Sequence, residues 1–163
     1  MAAGLISPEE FIWMSKLLHE RSNKARDFWA LEMTSDGKEY LKKTVAFATP
    51  EKSQGKQIIQ ENKDYVLFIL SYALDGQLLS LEDVWKIVPD FYRERLEHER
   101  WTFLTQQEHP ILHRPFYQLH PCRTADLMEN IPQCQDRSKY LTSWLSAVGP
   151  VVGLNLPLAY GLT

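Results

Sequence analysis

Residues 65–74, Tyr-Val-Leu-Phe-Ile-Leu-Ser-Tyr-Ala-Leu, are apolar almost throughout. A run this short, ended by Asp75-Gly76, reads as a strand rather than a helix. It lacks the alternation of a half-wet strand, so it has to be central and covered on both faces. The rest of the chain must supply neighbouring strands and helical cover. With 44% hydrophobic residues, and five Trp, seven Tyr and seven Phe among 163 residues, it has the material for one well-packed domain over 1–163.

The cover is announced on both sides of that strand. Ser7, Pro8 and Glu10 form an N-cap, first-turn proline and capping-box acid for a helix to about Asp27. Phe11, Met14, Leu18 and Ala25 give it a helical stripe, with Trp13 and Leu17 widening the face. Residues 29–47 read as a hairpin around Asp36-Gly37, and its edge strand offers backbone groups to a partner. Residues 49–62 turn polar and read as a loop. Beyond the central strand, Ser80 with Asp83 opens a second helix whose inner face is Val84, Trp85, Val88, Phe91, Tyr92 and Leu96. Pro89 falls inside this pattern and should kink or split it. Residues 93–100 mix both signs of charge and read as solvated surface.

Residues 108–121 carry three prolines and three histidines and read as loop, with a short extended piece at 116–119. Thr124 can cap a short helix to about Asn130. A last helix should follow Ser138, burying Leu141, Trp144, Leu145 and Val148, with Gly149-Pro150 as its stop. The sum is an α+β fold, an antiparallel sheet flanked by helices.

Several functions are excluded by what the chain lacks. A net charge of −3 with interspersed signs gives no basic face for nucleic acid. The first residues have no charged and apolar leader pattern. Residues 148–158 are too short and too broken to cross a bilayer, so a soluble cytoplasmic protein without a transmembrane segment is expected. Two cysteines, Cys122 and Cys134, make no disulfide framework and should be free thiols in a reducing compartment. There is no phosphate-binding glycine loop and no nucleophile elbow.

The chemistry concentrates in residues 105–122. Cys122 stands at a loop end just before the helix capped by Thr124. A helix N-terminus and the adjacent Arg123 favour a thiolate over a thiol, and Pro121 stiffens the approach. His120 can fix the same loop, and Tyr117 can line a channel to it, although aromatic residues there more often fill the core. The competing arrangement is a zinc site or adaptor module made from His109, His113, His120 and Cys122, which are suitable ligand types at an unfamiliar spacing. Cys134, in a polar stretch after Ile131-Pro132-Gln133, has nothing nearby to activate it and reads as a packing residue. His19 and His98 read as helix-surface residues.

Glu108-His109-Pro110, His120-Pro121-Cys122 and the tail block from Tyr140 through Trp144, Gly149-Pro150 and Gly153 to Leu158 resemble the autophagy-related protein ten family. That family is similar to ubiquitin-conjugating enzymes. The likeness extends to Leu74-Asp75-Gly76 and residues 78–85 and covers about the C-terminal half to three-fifths of the chain. His-Pro-Cys also occurs in the lipid-conjugating autophagy-related protein three family, whereas the tail block points to the protein ten family. The resemblance implies a ubiquitin-conjugating-enzyme-like fold with Cys122 as thioester nucleophile. It also implies autophagy-related protein seven as activating enzyme, autophagy-related protein twelve as the ubiquitin-like modifier, and a lysine of autophagy-related protein five as target. It implies no metal or organic cofactor. Ubiquitin-conjugating enzymes place an oxyanion-stabilising Asn after His-Pro; here Cys122 takes that place, and backbone N–H groups are left as the candidate donors.

Overall fold

The computed structural model describes residues 6–46, 54–60, 66–72, 79–98, 104–109, 111–119 and 130–161; for 45, 46, 54–60, 66–72, 95, 96, 119, 133 and 134 it describes the backbone only. The chain opens with α1 (Pro8–Ala25), where the capping box forms as the sequence requires. Glu10 N–H donates to Ser7 Oγ at 3.2 Å, and Ser7 N–H donates to Glu10 Oε2 at 2.8 Å. Phe11, Met14 and Leu18 lie buried on the inner face of α1. Trp13, expected to widen that face, is 49% exposed. The apolar stripe is narrower than the sequence suggested because Ser15 and Ser22 are buried on it.

The chain then reverses sharply. Arg26 takes a left-handed φ of 54° at the helix end and Phe28 one of 56°. Ser22 Oγ accepts the Trp29 N–H at 2.7 Å, and His19 Nδ1 donates to the Trp29 carbonyl at 2.7 Å. His19 is thus part of the joint between helix and sheet rather than free helix surface. Trp29 is buried, and the Lys43 ammonium lies 5.7 Å from its ring centroid.

Six strands form one antiparallel sheet in the order β1-β2-β3-β4-β6-β5. They are β1 (Ala30–Met33), β2 (Glu39–Ala46), β3 (Gln54–Gln60), β4 (Val66–Tyr72), β5 (Leu104–Glu108) and β6 (Pro115–Leu119). The first hairpin turns where Asp36-Gly37 predicts, with Gly37 at φ 83° and its N–H donating to the Thr34 carbonyl at 3.0 Å. β4 lies inside the sheet between β3 and β6, the central place its composition demands; the cover of its side chains falls outside the described residues. The polar loop expected at 49–62 is corrected over part of its length: 54–60 is strand β3, paired with β2 on one side and β4 on the other. Gln and Lys are weak strand signals alone, but neighbouring strands on both sides offer ladders for the backbone groups they bring. β5 was also hidden, because Leu104-Thr105-Gln106-Gln107-Glu108 has one buried residue and then a solvated run.

Pro89 splits the second helical pattern, as expected, into α2 (Leu81–Ile87) and α3 (Asp90–Leu96). Val88 is pushed to an extended ψ of 127° by the proline that follows it. After this break the inner face no longer continues: Val84 and Val88 are buried, but Phe91 is 63% exposed. Helix α4 (Arg137–Val148) starts two residues earlier than expected because Asp136, rather than Ser138, caps it. It buries Tyr140, Leu141, Trp144 and Leu145 against α1 and the sheet. The helix expected at 124–130 lies outside the described residues.

Gly149-Pro150 ends α4, as expected, with Gly149 as its C-cap. A 3-10 turn continues over Gly149–Val152 and ends at Gly153, whose φ is 77°. Proline is tolerated in a first turn, where its missing N–H has no role. The last described segment, a 3-10 turn at Leu158–Gly161, returns to the end of α1, where Tyr160 OH donates to Asp27 Oδ2 at 2.9 Å and Lys43 pairs with the other oxygen. Burial and the Asp27 carboxylate raise the Tyr160 pKa, which keeps the phenol a donor. Among the described residues no helix is long and apolar enough to cross a membrane.

Gly149, in the tail block, sits at a close backbone approach. A Cβ there would lie 2.6 Å from the Leu154 carbonyl oxygen and 3.3 Å from Leu154 Cβ. The oxygen belongs to backbone held by the Leu154 N–H to Gly149 carbonyl bond at 2.9 Å, so it cannot swing away. Gly149→Ala should therefore destabilise the fold by about 1–3 kcal/mol, an overpacking cost, read as a lower urea midpoint with unchanged slope. An unchanged midpoint would refute the close approach.

Candidate active site

Strand β6 leads into the segment that carries the expected nucleophile. It opens on Pro115, a place where a strand loses least by lacking an N–H. Phe116 turns inward and is buried, while Tyr117 and Gln118 are half-buried. β6 pairs with β5 from Leu104↔Leu119 to Glu108↔Pro115, but with β4 only at Phe68↔Gln118 and Ile69↔Tyr117. The chain leaves β6 at Leu119 and enters His120-Pro121-Cys122. These three residues lie outside the described part, as does Arg123.

Tyr117 is described. Its hydroxyl donates to the Leu79 carbonyl at 3.0 Å, immediately before the α2 cap Ser80. Its ring packs against the main core. Burial, and then the Asp83 carboxylate, raise its pKa, so it remains a neutral donor. Tyr117 therefore ties β6 to the start of α2. Its hydroxyl is engaged there.

The β5–β6 connection holds two of the histidines, and they differ in every respect. His109 is fully buried; its Nδ1 accepts the N–H groups of Ile111 and Leu112, both at 3.2 Å. Its backbone closes the same turn: His109 N–H donates to the Arg114 carbonyl, and the His109 carbonyl accepts the His113 N–H, both at 2.8 Å. The ring lies 5.0 Å from the Phe116 centroid and 6.3 Å from that of Tyr40. Tyr40 belongs to β2, so the end of the hairpin reaches back across the sheet. There Tyr40 OH donates to Glu32 Oε2 at 2.6 Å, and burial followed by that carboxylate pushes its pKa up to about 12.

Burial is also the main reason that the His109 pKa falls to about 4, with the Arg114 and His113 charges adding to it. His113 is exposed, has a left-handed φ of 51°, and meets Glu108 Oε1 at 3.2 Å. The two histidines do not converge. His109 has its Nδ1 committed to backbone donors, which removes it as a ready ligand through that atom. Among the described residues no group of three or more His, Cys, Asp or Glu is placed to hold a metal. The other two members of the suggested zinc set, His120 and Cys122, lie outside those residues. Cys134 is in the 3-10 turn Pro132–Gln135.

Histidines in such a stretch more often orient backbone than bind metal, and His109 does so, although the sequence did not single it out from His113 and His120. The signal available was Glu-His-Pro followed by two residues with free N–H groups, an arrangement in which a short acceptor side chain can close a turn.

A histidine with a depressed pKa makes stability depend on pH in one direction. Above about pH 6.5 both folded and unfolded chains hold it neutral. As pH falls toward about 4, the unfolded chain takes up the proton first, and stability is lost. His109→Asn keeps a short acceptor but does not titrate. Between pH 7 and pH 4 the wild type should lose up to about 3 kcal/mol more than this variant, from the size of the shift. Urea midpoints at both pH values give the comparison, and equal losses would remove the neutral buried imidazole.

Comparison with known proteins fits this geometry. Residues 66–159, from β4 to the C-terminal 3-10 turn, match the family model described as autophagocytosis associated protein, active-site domain. The chain is 50% identical over 99 residues to the ubiquitin-like-conjugating enzyme ATG10 of Homo sapiens, covering 58% of this chain and 45% of that protein. It is 42% identical over 100 residues to the ATG10 of Arabidopsis thaliana, covering 57% and 44%. It is 33% identical over 105 residues to the ATG10 of Dictyostelium discoideum, covering 56% and 46%. The match thus spans about half the length of these relatives. With more than half of its own length accounted for by the family model, the chain belongs to the autophagocytosis-associated protein family, among its ATG10 members.

Proposed function

We propose that this chain is a ubiquitin-like-protein transferase of autophagy that carries its modifier as a thioester on Cys122. The observation that supports this best is the coincidence of two facts. The part of the chain that matches an active-site domain runs from β4 onward, and its one His-Pro-Cys follows directly from the internal strand β6. A nucleophile on a chain leaving a paired strand inherits the rigidity of the sheet.

The reaction has two exchanges. The Cys122 thiolate attacks the carbonyl carbon of the modifier's C-terminal thioester on an activating enzyme, and that enzyme's thiolate leaves. A neutral lysine amine of the target then attacks the carbonyl carbon on Cys122. The amide forms, the amine loses its proton, and the Cys122 thiolate departs. One thioester replaces another in the first step, so orientation rather than bond energy governs the rate. In the second step, a desolvated approach favours the neutral amine. The partners that fit are autophagy-related protein seven as activating enzyme, autophagy-related protein twelve as modifier and autophagy-related protein five as target, in the cytoplasm. His120 and Pro121 fix the loop before the sulfur.

Cys122→Ser should convert a reductant-sensitive adduct into a stable oxyester when activating enzyme, modifier and ATP are present. A gel run with and without reductant reads this directly. The absence of any adduct in both proteins would end the proposal, as would an adduct that persists on Cys134 alone.

A further inference from the structure

The joint between α1 and β1 holds a strained residue that the fold does not use. Two residues there take left-handed backbone, Arg26 at φ 54° and Phe28 at φ 56°. For a bulky side chain this conformation is unfavourable, and Gly or Asn is the usual choice. The joint itself needs the bend. Asp27 N–H donates to the Ser22 carbonyl at 2.9 Å, and Trp29 N–H donates to Ser22 Oγ at 2.7 Å. It does not need a phenyl ring at its outer side. Phe28 is 74% exposed, and among the described residues its ring has no aromatic or cationic partner and no place in the core.

The bend sorts the neighbouring side chains into two sets. Ala25, Asp27 and Trp29 turn inward: Ala25 packs on the core, Asp27 meets Lys43 and Tyr160, and Trp29 is buried. Lys24, Arg26 and Phe28 are exposed and make an outward ridge of two cations and an aromatic ring. Neither cation pairs with a carboxylate among the described residues. Asp27, the acid within this stretch, already has Lys43 as its counter-charge. On a chain of net charge −3 the corner is therefore locally positive. The turn Leu158–Gly161 is tied to the same joint by the Tyr160–Asp27 bond, and it carries Leu158, which is 93% exposed.

We propose that this corner is a contact site for an anionic lipid surface, with Phe28 and Leu158 entering the headgroup boundary and Lys24 and Arg26 meeting the lipid anions. Protruding apolar tips flanked by cations suit a deformable, negatively charged surface, which needs no matching shape. A protein partner would have to supply an apolar pocket rimmed by acids. The contact is interfacial, because among the described residues no helix is long and apolar enough to cross a membrane. It is also weak and reversible, since two cations and two apolar tips fall short of a stable anchor. It does not depend on the chemistry proposed for Cys122.

The test floats the full chain with vesicles of phosphatidylcholine, alone or mixed with phosphatidylserine, at low and at high salt. Wild type should float with the phosphatidylserine vesicles at low salt, stay behind with phosphatidylcholine alone, and be released by high salt. Phe28→Asn removes the ring and suits the left-handed backbone. It should bind about tenfold more weakly, while its urea midpoint should be no lower than that of wild type. Lys24→Gln and Arg26→Gln should each weaken binding about fivefold, and Leu158→Ser should weaken it as well. A wild type that does not float overturns the proposal; if Phe28→Asn is then as stable as wild type, the ridge fits a protein pocket instead. Equal flotation of wild type and Phe28→Asn also overturns it. So does a Phe28→Asn midpoint well below that of wild type, which would show the ring serving the fold.

Discussion

The face of the sheet that lies under α1 and α4 is the constraint from which the rest follows. Phe11, Met14 and Leu18 from the first helix meet Leu141, Trp144 and Leu145 from the last, with Leu41 and Leu104 from the sheet beneath them. Each of these side chains stabilises the fold by about 1.5–3 kcal/mol when removed from water, and none can be satisfied within its own element. The helices come from opposite ends of the chain. β3, made of Gln, Lys and Gly around Ile58 and Ile59, is held as a full strand by its pairing with β2 and β4.

Much of this was legible in the sequence, and the parts that were not share a cause. Capping at Ser7 and Ser80, the Asp36-Gly37 turn and the break at Pro89 are local physics, and each acts in the fold as its residue type requires. The place of β4 inside the sheet was readable from composition alone. By contrast, β3 and β5 are strands because their neighbours offer unpaired backbone groups, and no property of their own residues states that. Phe91 and Trp13 follow helical spacing but face water, because periodicity reports which residues share a face and not where the covered arc ends. Gly149-Pro150 ends α4 as those residue types usually do, but the spacing does not show that glycine is also required by the approach of Leu154.

The candidate site divides in the same manner. The proposed nucleophile, Cys122, is picked out by the sequence because a cysteine preceded by His-Pro and followed by a residue able to cap a helix is unusual in itself. The roles of the residues leading up to it are not. His109 looks like one of several histidines available for a metal, and only burial and the two N–H groups converging on Nδ1 separate it from His113, which faces water beside Glu108. For Tyr117 the sequence leaves a lining role and a core role open; its ring packs against the core and its hydroxyl ties β6 to the segment that starts α2. Support of this kind arises from strand pairing between distant segments, which leaves no periodic trace.

The bond from Tyr160 to Asp27 spans 133 positions of the chain. During synthesis on the ribosome the end of α1 emerges long before its partner exists. Among the described residues Lys43 is then the counter-charge of Asp27 at that joint, and the apolar stripe of α1, which β1 and β2 cover in part, lacks the rest of its cover until residues 137–148 have cleared the exit tunnel. The nascent chain therefore cannot complete its domain progressively from the N-terminus. It must close in one late step, and in that interval it depends on chaperones or on speed to avoid aggregation.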